Sequence, residues 1–168
     1  MKNKILISTV LFLLINCKKQ QFNEFDFSYG NTFETDFSIK FSPSNDSVFI
    51  REHWSANDLK KPVSQTNYVS QLNKLQKKEL DSFIQNINFK SFDTIYFENY
   101  QDGNHSSFFI NKDGLLKKII VHSDNAPKSL TDFAAWIYNT KKSLKLIETQ
   151  RKFDFRSKTN ELEPPKAP

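Results

Sequence analysis

Phe108-Phe109-Ile110-Asn111-Lys112-Asp113-Gly114-Leu115-Leu116 is the stretch that decides the fold. Asp-Gly between two apolar runs is a strong hairpin signal, because both turn positions need positive φ and these two residues tolerate it. Phe108 with Ile110, and Leu115 to His122, therefore read as paired antiparallel strands. Toward the N-terminus, Asp102-Gly103-Asn104 is another turn and Ile95 with Phe97 another strand, so the three form a meander. Further back, Phe37, Ile39 and Phe41 alternate strictly with polar residues, the period of a half-buried strand. Pro43-Ser44-Asn45-Asp46 turns the chain. In the strand that follows, Val48, Ile50 and Trp54 share one face, and Phe49, Arg51 and His53 the other. Asn57 to Pro62 is a loop, and Thr66, Tyr68, Ser70 and Leu72 line one face of a more polar strand.

Two segments switch to the helical period. Leu80, Phe83, Ile84 and Ile87 follow the i, i+3, i+4, i+7 rule. Lys77, Lys78, Asp81 and Gln85 fall on the opposite side. A second helix follows Pro127, with Ser129-Leu130-Thr131-Asp132 in the form of a cap. Phe133, Ala134, Ile137 and Tyr138 carry its apolar face. The expected fold is α+β, an antiparallel sheet of about five to six strands with two helices on one face. The domain is expected over residues 36–150, after a tether at 17–35 and before a flexible C-terminal tail at 151–168. Phe25, Phe27 and Tyr29 alternate within the tether, enough for an added edge strand.

A chain of 168 residues fits one domain. Its 17 Phe argue for a packed aromatic core rather than disorder. Only 3 Gly remain for the whole chain, which excludes the Gly-rich phosphate loops. A single Cys excludes a disulfide framework and a Cys-rich zinc site. The 21 Lys against 3 Arg, with 16 Asn and 5 Ala, follow AT-rich codons, so the lysines are not first a ligand footprint.

The N-terminus is an address. Lys2 and Lys4 precede the apolar run Ile5 to Ile15, whose 11 residues suit a signal-peptide core. A bilayer-crossing helix needs about 20 residues. No Ala-x-Ala site follows; Leu14-Ile15-Asn16-Cys17 stands there instead. This motif resembles the lipobox of bacterial lipoproteins, with Asn16 where that family more often has Gly, Ala or Ser. The resemblance implies cleavage between Asn16 and Cys17, acylation of Cys17 with fatty chains such as palmitate, and a mature chain starting at that Cys. Lys18 rather than Asp after the Cys implies, by the same resemblance, sorting to the outer membrane, with attachment through the N-terminal lipid. Two or more acyl chains are needed for stable anchoring, and lipoprotein processing supplies them.

Removing residues 1–16 takes Lys2 and Lys4 and lowers the net charge from +5 to +3. Lys18 to Tyr138 holds 14 basic and 15 acidic residues, so the body is near neutral. The excess of base lies in the last thirty residues. Nucleic-acid binding needs a basic stripe on the folded domain, and none is expected.

The three His (His53, His105 and His122) have no His-x-x-x-His or His-Glu-x-x-His spacing, so no metal and no cofactor is expected. No Gly-x-Ser-x-Gly elbow supports a Ser nucleophile. Carboxylates such as Asp93 and Glu98 could serve glycoside hydrolysis only at a separation the sequence does not set. The candidate binding patch is Trp54 with His53, Tyr96 and Tyr100, aromatic and polar-edged residues beside two loops.

From Phe37 to Leu146 the body also resembles a loosely defined family of small Gram-negative envelope lipoproteins. The shared pattern is a polar strand, a helix rich in Lys, Glu and Leu ending near Asn88-Phe89, an Asp-Gly meander and Pro127 opening a last helix. That resemblance brings no activity and no catalytic residues. The expected function is a non-catalytic, lipid-anchored interaction module with an envelope protein partner, as an inhibitor, immunity protein or assembly accessory. The alternative is a glycan- or small-ligand-binding lipoprotein, and a hydrolase comes last.

Overall fold

The structure is a computed structural model that describes residues 21–31, 34–53, 65–99 and 103–158. Asn16, Cys17, Trp54, Tyr100 and the loop Asn57 to Pro62 lie outside the described residues.

Among the described residues, eight strands and two α-helices follow as β1 Glu24–Asn31, β2 Glu34–Phe41, β3 Ser47–His53, β4 Gln65–Gln71, α1 Lys74–Asn86, β5 Ile95–Phe97, β6 Asn104–Lys112, β7 Leu115–His122, α2 Lys128–Ser143 and β8 Ile147–Glu148. They form one sheet in the order β5-β7-β6-β1-β2-β3-β4-β8. The α+β class is as expected, but the sheet has eight strands rather than five to six. It is also mixed, because β5 pairs parallel with β7 through Ile95↔Ile120 and Phe97↔His122. The β6–β7 hairpin forms as the Asp-Gly signal requires, with Asp113 at φ 49° and Gly114 at φ 80°. The expected meander fails one strand earlier, because β5 lies across β7 and not beside β6.

The largest departure is β1. Its Phe25, Phe27 and Tyr29 belong to a strand inside the sheet, paired with β2 on one side and β6 on the other. The folded domain thus begins by Phe22, which is 2% exposed, and not at residue 36. Register explains the core. Phe27 lies opposite Ile39 and Phe108, and Ile39 lies opposite Ile50, so one row of apolar side chains crosses four strands.

Both helices cover this face. Phe133 of α2 stacks on Phe25 of β1 at 5.2 Å between centroids, and on Phe83 of α1 at 4.7 Å. Lys112 Nζ at the foot of β6 donates to the Ile84 carbonyl at 2.7 Å, which ties the end of α1 to the same face. Helix α1 has a capping box: Asn73 accepts from the Gln76 amide, and Gln76 accepts from the Asn73 amide. Helix α2 starts at Pro127 without a side-chain cap, against the expectation from Ser129 and Asp132. Asp132 is taken up instead by Lys128 one turn earlier, at 2.6 Å.

The other face of the sheet is covered by the chain itself. Residues 151–158, expected in a flexible tail, run across it without regular structure. Phe153 packs on Phe49 at 4.8 Å, and the Arg156 guanidinium sits 4.3 Å over the Phe109 ring. The strap's backbone is held by side chains of five strands. Arg51 donates to the Phe153 carbonyl at 2.7 Å, Lys40 to the Asp154 carbonyl at 3.4 Å, Ser107 to the Ser157 carbonyl, and Lys118 to the Lys158 carbonyl at 3.2 Å. The Ser157 amide donates to Asp26 Oδ1 at 2.7 Å.

Replacing Phe133 by Ala removes the ring shared by both helices and the sheet. The expected loss is about 3–5 kcal/mol, read as a lower urea midpoint with unchanged slope.

Candidate functional site

At the end of the sheet where β1 and β7 finish and β6 begins, α2 does not close on the strands. The result is a groove of about 850 Å³, within the size range of small-molecule sites. Phe108, Val121, Leu130 and Ala134 give it an apolar floor, and Asn31, Asn104, Ser106, Thr131 and Asn139 give it uncharged hydrogen-bonding groups. Among the described residues of this lining, Asp124 is the acid and there is no Lys or Arg.

The walls are held in place. Asn104 Oδ1 accepts from the Tyr29 hydroxyl at 2.8 Å and from Asn31 Nδ2, which fixes the end of β1 to the start of β6. The Tyr29 ring meets Tyr138 of α2 at 5.0 Å, so the aromatic wall continues from sheet to helix. Lys142 braces Tyr138 from behind, its Nζ 2.9 Å from the hydroxyl. Glu98 organises the opposite rim. Its carboxylate accepts from Ser123 Oγ at 2.7 Å, the Asp124 amide at 2.6 Å and Asn125 Nδ2 at 2.6 Å. These bonds, led by the one from Ser123, hold its carboxyl below the ordinary range. Both Glu98 oxygens are therefore committed to the turn between β7 and α2.

Sequence reasoning missed the groove. Its residues are ordinary Asn, Ser and Tyr contributed by three strands and a helix. One signal was available: counting back from Ile110 and Phe108 puts Ser106 on the core-facing side of β6, where a buried polar residue needs a reason.

The expected patch is not assembled by its described members. Tyr96 lies on β5 and His53 on β3, with β7, β6, β1 and β2 between them. Strands spaced about 4.8 Å apart put the two some 24 Å from each other. Tyr96 packs against the core, its hydroxyl accepting from the Asp93 amide at 2.9 Å. His53 is on the strap-covered face, with Lys158 Nζ 3.4 Å from Nδ1.

His53, Asp36 and His105 do share that face. Asp36 is opposite His53, and the His105 ring lies so close over Gly30 that a Cβ there would sit 2.2 Å from it. Among the described residues, however, no three His, Cys, Asp or Glu are grouped to hold a metal. Among them too, no helix is long and apolar enough to cross a membrane.

Comparison with known proteins adds no assignment: no family model matches the chain, and no curated protein matches it.

Burial, with the nearby Lys158 and Arg51 charges, lowers the His53 pKa to about 4. The unfolded chain, near 6.5, takes up the proton first, so this part of the stability is complete above pH 6.5 and is lost as pH falls toward 4. His53→Gln should therefore flatten the decline of the urea midpoint between neutral pH and about pH 4. An unchanged decline would remove His53 from the account.

Proposed function

We propose that the protein is a lipid-anchored, non-catalytic binding protein of the Gram-negative envelope, attached to the outer membrane through Cys17. Its folded domain works by taking up a ligand in the groove between α2 and the ends of β1, β6 and β7. The observation that carries this reading is the lining: an apolar floor, a rim of carboxamides and hydroxyls, and Asp124 as its acid. Such a surface suits a ligand with an apolar face and uncharged hydroxyl or amide groups, the chemistry of a glycan fragment. An anionic ligand would lose its hydration there without gaining an opposite charge from the described lining. The non-catalytic part rests on the sequence, where no nucleophile motif or metal-ligating spacing occurs.

A second reading is favoured by the sheet edge. β5 is an outer strand and exposes Ile95 at 55% and Phe97 at 42%, which suits a protein partner that adds a strand or covers the two side chains. The interaction-module expectation fits this edge.

Calorimetric titration of the acylated protein with peptidoglycan and polysaccharide fragments tests the groove. Ala135, an exposed groove residue on α2, is the place to block it. Binding by the native chain that Ala135→Arg abolishes, with the urea midpoint unchanged, is the expected result. No heat with any fragment would sink the glycan reading. Capture of an envelope protein that Phe97→Lys releases and Ala135→Arg retains would then favour the edge.

A further inference from the structure

The tether sets an orientation. Cys17 and the buried Phe22 are five positions apart, and an extended chain covers at most about 3.3–3.6 Å per residue, so a lipid on Cys17 holds Phe22 within about 18 Å of the bilayer. Phe22 leads into the start of β1, and its ring lies 5.7 Å from Lys77 Nζ in α1. The neighbouring surface is therefore the end of the sheet that holds the first residues of α1, the turn at 42–46 and the turn of the β6–β7 hairpin.

We infer that this end lies against the bilayer, with Lys74 and Lys78 of α1 facing headgroup phosphates and Leu75 between them reaching the acyl boundary. The inference rests on the proposed acylation of Cys17. Leu75 is 64% exposed, and Leu116 at the foot of β7 is 57% exposed, so apolar side chains stand out at this end. Lys77 is paired with Asp81 at 2.5 Å, whereas Lys74 and Lys78 are exposed and have no ion-pair partner among the described residues. Lys18 and Lys19 lie between Cys17 and the fold and add to the same charge. Basic residues held this near an anionic leaflet gain by pairing with it. Asp46 and Asp113 belong to the two turns at this end, so the positive charge is concentrated on α1 and the tether. The groove then opens at the opposite end, one strand length from the membrane: the eight residues of β1 span about 25 Å at roughly 3.3 Å each.

The test uses acylated protein in phosphatidylcholine vesicles with and without phosphatidylglycerol, with a nitroxide quencher on the headgroups. A fluorophore is placed at Ser44→Cys, beside the proposed contact, or at Asn139→Cys, on the groove. Quenching several-fold stronger at Ser44→Cys is expected. Equal quenching at both, or stronger quenching at Asn139→Cys, overturns the orientation. Lys74→Gln with Lys78→Gln should shrink the contrast in the anionic vesicles, and an unchanged contrast overturns the headgroup contact. Mass measurement of the purified protein separates the two layers: a chain without acyl groups overturns the anchor and this inference together, whereas an acylated chain with uniform quenching overturns only the orientation.

Discussion

The stack Phe25–Phe133–Phe83 is the contact on which the architecture depends. Its rings lie 11° and 16° from parallel, and it runs from the sheet through α2 to α1. Phe133 also meets Phe108, Phe89 and Trp136, so one side chain of α2 touches two strands, α1 and the turn that leads to β5. Close-packed aromatic rings of this kind contribute through area and through ring–ring geometry together. A domain with few Gly and few Ala has little freedom to let backbones approach closely, and rings fill the space between layers instead. Because Phe133 anchors α2 at its first turns over β1 and β6, the rest of the helix leans toward β3. There Lys141 meets Glu52 at 2.5 Å, and past the helix end Ser70 donates to the Lys145 carbonyl. The groove is the space that this lean leaves over the ends of β6 and β7.

How much of this was legible depends on where each element gets its information. β2, β3, β4, both helices and the β6–β7 hairpin are local statements: a period of 2, a period of 3.6, a turn that demands positive φ. They are found where the periodicity puts them. β1 shows the limit of the same argument. Phe25-Asp26-Phe27-Ser28-Tyr29 alternates as a half-exposed edge strand would, yet Asp26 is fully buried and Ser28 bonds Ser157 at 2.8 Å. Alternation tells which side chains share a face. It does not tell whether the polar face meets water or another part of the chain. The covering segment, Arg151 to Lys158, has no regular structure and bonds through side chains to backbone, so no period announces it. The parallel pairing of β5 with β7 was equally hidden, because it is set by where α1 delivers the chain and not by the residues of β5.

The candidate site follows the same division. His53 and Tyr96 are polar-edged aromatics beside loops, a reasonable local criterion, but sheet order separates them and each is committed elsewhere. The groove residues carry no local mark, since Asn31 and Asn104 look like strand ends and Ser106 like a strand interior. What makes them a site is that the ends of β1 and β6 are bonded to each other through the Asn104 carboxamide while α2 stands off. Covering the opposite face has its own consequence for Asp26. Its Oδ2 has no hydrogen-bond partner among the described residues, and burial raises its pKa despite the Ser157 bonds. A carboxylate kept there is a weak source of stability. It is a strong source of register for the strap, because it takes up the Ser157 backbone amide from inside the sheet.

The two ends of the sheet differ in kind, and that difference gives the molecule a direction. One end receives the chain from Cys17 and carries exposed Leu and Lys, while the other carries carboxamides, hydroxyls and an apolar hollow. With Cys17 acylated as proposed, a binding site next to so short a tether would be shielded by the bilayer from anything larger than a small solute. Under the same proposal, a groove a full strand length away is left open to polymeric or protein-borne ligands on the side facing away from the lipid. The same geometry keeps the β5 edge free, since Ile95 and Phe97 pair with the final residues of β7 and so lie toward the groove end. The groove and the β5 edge thus lie at the same end of the sheet, and a ligand in the groove and a partner on β5 would meet the same side of the molecule.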